Sequence, residues 1–188
     1  MGLLIASDIH GSASATKKLV EAFKKEEAEY LVLLGDLLYH GPRNPLPDEY
    51  HPASVIERLN PFKEKIIAVR GNCDSEVDQK MLKFPITSDS QTIPLKGSKL
   101  FITHGHLFDP TPDLSQTPDH LVEGDIFAFG HVHLPILEVN EKGILVLNPG
   151  SVTLPREGHP PTYALLGKDR IQIKTFDGEV YGERSVTW

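Results

Sequence analysis

The residues of this chain best equipped for chemistry stand in five short clusters: Ser7-Asp8-Ile9-His10, Gly35-Asp36, Gly71-Asn72, His104-Gly105-His106 and Gly130-His131-Val132-His133. Carboxylate, imidazole and carboxamide groups are the oxygen and nitrogen donors that bind borderline divalent metals. Taken singly each cluster is ordinary, because Gly-Asp and Gly-Asn are common turn pairs and a lone Asp-x-His is usually a surface feature. The regularity lies in what precedes them. Each follows closely on an apolar run: Leu3 to Ala6, Leu31 to Leu34, Ile66 to Val69, Leu100 to Thr103 and Ile126 to Phe129. A polar ring or carboxylate at the end of a buried run needs a partner, and one shared cation can serve several of them.

The runs are continuous rather than alternating, as expected of strands buried on both faces. Between the first two, Ala15, Leu19 and Phe23 recur at helical spacing beside a charged face, which predicts an amphipathic helix over Ser12 to Glu26 with Ser12 as N-cap. Ser54-Val55-Ile56-Glu57 carries the capping-box pattern and predicts a second helix opening there and ending before Pro61. Such alternation of strand and helix implies a mainly parallel arrangement, in which groups beyond the carboxyl ends of the strands converge on one edge. At i, i+2 spacing in an extended segment, Asp8 and His10 would face one way, as would His131 and His133. After residue 143, Ile144 to Leu147, Tyr163 to Leu166, Ile171 to Lys174 and Val180-Tyr181 predict a strand meander forming a second sheet. Two Pro-rich loops, His40 to Pro52 and Asp109 to Pro118, read either as pocket walls or lids, or as proline-stiffened connectors.

With 188 residues, 39% hydrophobic and 24% charged, the chain reads as one domain over residues 1–188 with a core that needs no disulfide. A formal net charge of -7 excludes a broad face for membranes or long nucleic acids, which need a basic footprint. The lone Cys73 is compatible with a reducing cytosol. The run Leu3 to Ala6 is too short for a signal peptide and no stretch approaches the ~20 apolar residues that cross a bilayer, so a cytoplasmic protein is expected.

The set Asp8-x-His10, Gly35-Asp36, Gly71-Asn72, His104 and Gly130-His131-x-His133 resembles the calcineurin-like metallophosphoesterase superfamily, and most of all its small bacterial and archaeal phosphodiesterases. The resemblance implies an α/β sandwich: two mixed β-sheets packed face to face, flanked by helices, with the metal site at the carboxyl ends of the strands. Carried over position by position, Asp8, His10 and His133 would hold one metal, Asn72, His104 and His131 a second, and Asp36 would bridge them. Asp36, Asn72 and His104 would be the ligands most directly engaged in catalysis. Manganese is the first expectation by resemblance, and the donor set also suits Fe, Zn, Co or Ni. Two divalent ions carry four positive charges, the two carboxylates remove two and a bridging hydroxide a third, which leaves one to attract a phosphodiester. Attack by that hydroxide needs no protein nucleophile, so the expected activity is hydrolysis of small phosphodiesters. The alternatives are a metal-binding protein-interaction scaffold of the same fold, or a phosphoprotein phosphatase. Seven competent ligands favour an enzyme over the scaffold, and so small a domain leaves little room for a peptide-recognition surface. Self-association is left open.

One departure stands out. Many members of the superfamily read Gly-Asn-His and use that His as an acid near the leaving group, whereas this chain reads Gly71-Asn72-Cys73-Asp74. Substrates whose leaving group departs without help are then favoured, unless Asp74 or another His takes the part. Cys73 reads equally as a buried packing residue. Candidate substrate contacts are Arg43 beside Asn44, Cys73 and His106, where His106 reads alternatively as a hydrogen-bond partner orienting a ligand, and Arg43 and Arg70 as solvated cations. His51, His120 and His159 read as surface residues.

Overall fold

The structure, a computed structural model, describes residues 2–107 and 114–186. Three strands that follow the first three apolar runs, β1 (Leu3–Ala6), β2 (Tyr30–Leu33) and β3 (Ile66–Ala68), pair in parallel, with β1 in register to β2 and β2 to β3. Helix α1 (Ala13–Lys25) links the first two, and Ser12 caps it by accepting from Ala15 N at 3.2 Å. Its apolar stripe, Ala15, Leu19, Ala22 and Phe23, packs with Leu4, Ala6, Leu31 and Leu33 on the outer face of the sheet, which is the burial that makes the helix worth forming. Helix α2 (Pro52–Leu59) adds Val55 and Leu59 to the same layer. It opens earlier than the capping-box pattern suggests: Pro52 supplies the preset first helical residue, and His51, not Ser54, is the N-cap, its Nδ1 accepting from Ser54 N. A short helix α3 (Glu76–Met81), with a capping box between Ser75 and Asp78, was not legible in the apolar pattern because it buries no residue.

The second sheet has the order β4-β5-β6-β8-β7, from β4 (Ser90–Pro94), β5 (Lys99–Thr103), β6 (Ile126–Ala128), β7 (Pro135–Val139) and β8 (Leu145–Pro149). Its centre β5-β6-β8 is parallel, and its edges β4 and β7 are antiparallel. Strands β9 (Thr162–Leu166), β10 (Arg170–Thr175) and β11 (Val180–Ser185) do form an antiparallel meander, but they extend the first sheet instead of building a second one. The reason is the free edge of β1: with β2 on one side, its backbone needs a ladder on the other, and β9 supplies it with Leu3 opposite Leu166 and Ile5 opposite Ala164. The six-stranded order is β11-β10-β9-β1-β2-β3. Leu3, Ile5, Val32 and Leu34 from one sheet meet Leu100, Ile102, Ile126 and Leu147 from the other, so the sheets pack face to face around a dry core. The outer face of the second sheet carries Phe101, Phe127, Phe129 and Val146, with Leu121 and Leu114 laid over them by the connecting loop. Among the described residues, no helix covers that face. Of the second Pro-rich loop, residues 109–113 lie outside the described residues. No helix among the described residues is long and apolar enough to cross a membrane.

Candidate metal centre

Both parallel triplets end at the same edge of the sandwich, and the ligand clusters leave from there. Beyond β1 the chain stays paired with the exit of β2 through Asp8 N to Gly35 O (3.2 Å), His10 N to Asp36 O (2.8 Å) and Gly11 N to Leu37 O (2.9 Å). Asp8, His10, Asp36, His131 and His133 all have left-handed backbones, with φ between 49° and 68°, and make up five of the nine non-glycine residues in that region among the described ones. The extended i, i+2 geometry expected from the sequence is thus replaced by tight left-handed turns. These bring Asp8 and His10 together and send His131 and His133 to different partners, His131 to His104 and His133 to Asp8 and His10. Such backbone is uncommon for Asp and His, and it clusters at functional sites. Two glycines make room: a Cβ on Gly71 would collide with Asp36, and one on Gly130 with the Ser7 hydroxyl.

The donor atoms converge in two groups. In the first, Asp8 Oδ1 lies 3.2 Å from His133 Nε2 and 3.6 Å from His10 Nε2, and the two ring nitrogens are 3.2 Å apart. In the second, His104 Nε2 lies 3.1 Å from Asn72 Oδ1 and 3.3 Å from His131 Nδ1. Asp36 Oδ2 sits between them, 3.7 Å from His10 Nε2 and 3.4 Å from His104 Nε2. Donors bound at about 2.1 Å to one ion stand about 3.0 Å apart at right angles and about 3.4 Å at the tetrahedral angle, so these separations suit a cation in each group.

The hydrogen bonds point the same way. Nδ1 of His10 donates to Tyr39 O (2.9 Å), Nδ1 of His104 to Leu34 O (2.7 Å) and Nδ1 of His133 to Leu154 O (2.7 Å). Each neutral ring therefore turns a bare Nε2 lone pair toward a carboxylate. Each carboxylate has one oxygen held by an amide, Asp8 Oδ2 by His131 N (3.0 Å) and Asp36 Oδ1 by Cys73 N (2.8 Å), while the other faces the rings. Asp8 Oδ1 is fully buried without a hydrogen-bond partner. Acceptors crowded together in this way need positive charge between them. Without a cation, protons would have to supply it. Burial lowers the affinity of His104 for a proton, but the contact with Asp36 and the charges of Asp8 and Asp36 prevail and raise its pKa to about 9. Burial likewise pushes Asp8 up, and the contacts with His10 and His133 outweigh it and hold the carboxyl well below the usual range. The residues fit a metal pair.

The surrounding shell includes Asp74, expected as a candidate acid, and groups that the sequence did not single out. The Asp74 carboxylate accepts from Asp36 N (2.8 Å), Leu37 N (2.8 Å) and Gly71 N (2.7 Å), tying the turn after β2 to the turn after β3. Both its oxygens are committed, so it positions ligands and does not face the cleft as an acid. Burial raises its pKa in spite of those amides. Ser151 Oγ donates to Asp8 O (2.9 Å) and accepts from Leu154 N (2.8 Å), and Asn148 Nδ2 donates to Gly130 O (2.8 Å). The signal was available: Asn148-Pro149-Gly150-Ser151 follows the apolar run Ile144 to Leu147 just as the ligand clusters follow theirs.

A cleft of about 210 Å³ opens over Asp36, Asn72, His131 and His133, walled by Gly41 to Asn44, Cys73 and Arg156. Arg43 and Asn44 are therefore at the site, and the first Pro-rich loop is a wall of it. Arg156, unnoticed in the sequence, also lines the cleft. Arg70 is exposed and does not line the cleft. Cys73 is half-buried at the cleft, and burial followed by the charge of Asp36 pushes its thiol up to about 12, so it stays protonated and unreactive. His106 lies 5.5 Å from the His104 ring, centroid to centroid, with its Nδ1 buried and unpaired instead of hydrogen-bonded to a ligand.

A sandwich with this edge defines a class, and the chain matches the calcineurin-like phosphoesterase superfamily domain over residues 1–170 and belongs to that family. It is 50% identical over 175 residues to the phosphodiesterase YfcE of Escherichia coli (strain K12), which covers 92% of this chain and 91% of that relative. It is 33% identical over 181 residues to the probable metallophosphoesterase YsnB of Bacillus subtilis (strain 168), covering 94% and 91%. The solved structure of the YfcE phosphoesterase from E. coli superposes with a TM-score of 0.94 at 46% identity, over 100% of both chains. The family implies divalent metal ions, and the buried clusters Asp8-His10-His133 and Asp8-Asp36-His104 could hold them.

Proposed function

We propose that the chain is a metal-dependent phosphodiesterase acting on small phosphodiesters at a two-metal centre. In this reading Asp8, His10 and His133 hold one ion, Asn72, His104 and His131 the other, and Asp36 bridges them. The observation that carries it is the partnerless Asp8 Oδ1, buried against the bare Nε2 atoms of His10 and His133. The activity in the name of the 50% identical relative supports the choice of diesters.

When bound, the two ions, with manganese the first choice, would acidify a water shared between them and neutralise charge on the phosphoryl oxygens. The side chains divide the remaining work. Asp8 and Asp36 remove two of the four positive charges and the neutral rings and Asn72 remove none, so the centre draws in an anion despite the net charge of -7. Asp74, Ser151 and Asn148 hold the ligand turns still, which fixes the geometry before substrate arrives. Asn72 is exposed on the cleft side and can touch a phosphoryl oxygen, and Arg43 in the cleft wall can reach a substituent of the substrate, whereas His106 does not line the cleft. The protonated Cys73 is no nucleophile, in keeping with a water-derived attack.

The test is metal analysis of the purified chain together with hydrolysis of bis-p-nitrophenyl phosphate under added Mn. Two ions per chain and Mn-stimulated hydrolysis are expected. Bound metal with no hydrolysis of any phosphoester would sink the proposal in favour of a scaffold.

A further inference from the structure

Two features of the cleft are not explained by a simple diester. The first is surplus positive charge. Arg43 and Arg156 both line the cleft, and among the described residues neither guanidinium has a carboxylate within ion-pair distance. Of the other cations, Lys99, Arg170, Lys174 and Arg184 are ion-paired on the surface, and what sets Arg43 and Arg156 apart is that both unpaired guanidiniums belong to the cleft wall. Both arginines also follow a proline and sit on pinned turns. Asn44 N donates to Gly41 O at 3.3 Å and Asn44 Nδ2 to His40 O at 2.9 Å, while Arg156 N donates to His133 O at 3.2 Å. The base of Arg156 is tied to the His133 turn and that of Arg43 to its own tight loop, and a monoanionic diester already balances the metal centre, so the two guanidiniums call for further anionic oxygen.

The second feature is the want of an acid. Every carboxylate and imidazole lining the cleft among the described residues, Asp36, His131 and His133, is one of the proposed ligands. None is left over to protonate a departing alkoxide. A phosphate leaving group has no such need, because its second pKa is about 6 and it departs as a stable anion at neutral pH.

We propose that the substrate is a diester whose scissile phosphate is joined through oxygen to a second phosphate, the pyrophosphate-linked class, with Arg43 and Arg156 receiving the second phosphate. This rests on the phosphodiesterase reading above and narrows it. The oxygen of water forms a new bond to one phosphorus, and the bond from that phosphorus to the bridging oxygen breaks. The bridging oxygen keeps the electron pair as part of a departing phosphate monoester, and the two protons of the water pass to solvent as both monoesters ionise. Two monoesters result, with no oxidant or further reactant.

The test compares the Mn-loaded chain on UDP-glucose, on a dinucleoside monophosphate and on bis-p-nitrophenyl phosphate. Values of kcat/KM at least tenfold higher for UDP-glucose than for the dinucleoside are expected, with UMP and glucose 1-phosphate as products. In R43A/R156A, the ratio of kcat/KM on UDP-glucose to that on bis-p-nitrophenyl phosphate should fall about tenfold, chiefly through KM, and R43K/R156K should recover part of it. Calorimetric binding of α,β-methylene-ADP should weaken about tenfold in the alanine pair. A dinucleoside cleaved as readily as UDP-glucose, or a ratio and a binding constant untouched by the alanine pair, overturns the inference while leaving the phosphodiesterase reading intact. No hydrolysis of bis-p-nitrophenyl phosphate under any added metal sinks both.

Discussion

The two proposed metal positions are built alike and buried unlike. Asp8, His10 and His133 are all 2% exposed or less, whereas Asn72 is exposed and His131 half-buried at the cleft. The first group is buried, with only the edge of His133 reaching the cleft. The second is open to whatever enters. A closed donor set binds an ion and keeps it, while an open one leaves coordination positions for substrate. The inner position should thus anchor the centre and the outer one meet the phosphate, with Asp36 the only carboxylate serving both.

The sharpest break of this comparison is Asp36→Ala, which removes the shared ligand. We expect roughly a 10³-fold loss of kcat on bis-p-nitrophenyl phosphate and loss of metal from both positions, because positioned metal charge supplies several kcal/mol of transition-state stabilisation. Retention of two ions at wild-type occupancy would contradict the bridging role. His131→Ala should be milder and one-sided, with metal content falling from two ions to one and the inner ion surviving a brief chelator treatment. Loss of both would erase the proposed difference between the positions.

Protons compete with metal at both. In the metal-stripped chain the His104 pKa is raised to about 9 from an ordinary 6.5. The sign follows: stability owed to that proton is full below pH 6.5 and is lost as pH rises through 9. Metal binding must expel the same proton, so metal affinity should climb over that interval, with calorimetry in two buffers of different ionisation heat showing proton release. Proton-neutral binding at pH 7 would contradict it. Asp74→Ala should cost about 2–3 kcal/mol in denaturant melts, since three buried amides lose their acceptor. The smallest effect is expected of Cys73→His, a modest gain in turnover on diesters with poor leaving groups; an unchanged rate counts against a missing acid.

The seven residues proposed as ligands were legible because each follows an apolar run, and burial of a polar group at a strand end is visible in sequence. The same signal marked the strands of the parallel cores but not their division between sheets: β5 and β6 leave the first sheet, and Ile144 to Leu147, expected in the meander, supplies β8, which pairs in parallel with β6. Sheet membership was not legible: β9 joins β1 because of an edge left open by β2, a fact of three dimensions that leaves no mark on Tyr163 to Leu166. The edge strands β4 and β7 were missed because each contains a proline and is only half-buried, which mutes the apolar pattern. Arg156 was missed because nothing local marks a loop arginine that returns to the site from the far end of the chain. The left-handed turns escaped notice because neither Asp nor His announces positive φ as glycine does.

Those turns set protein engineering against function. A left-handed residue other than glycine carries roughly 1 kcal/mol of backbone strain, and five of the proposed ligands share it. Replacing one of them by glycine would relieve that strain while deleting a donor, so a selection for heat resistance alone would enrich inactive chains.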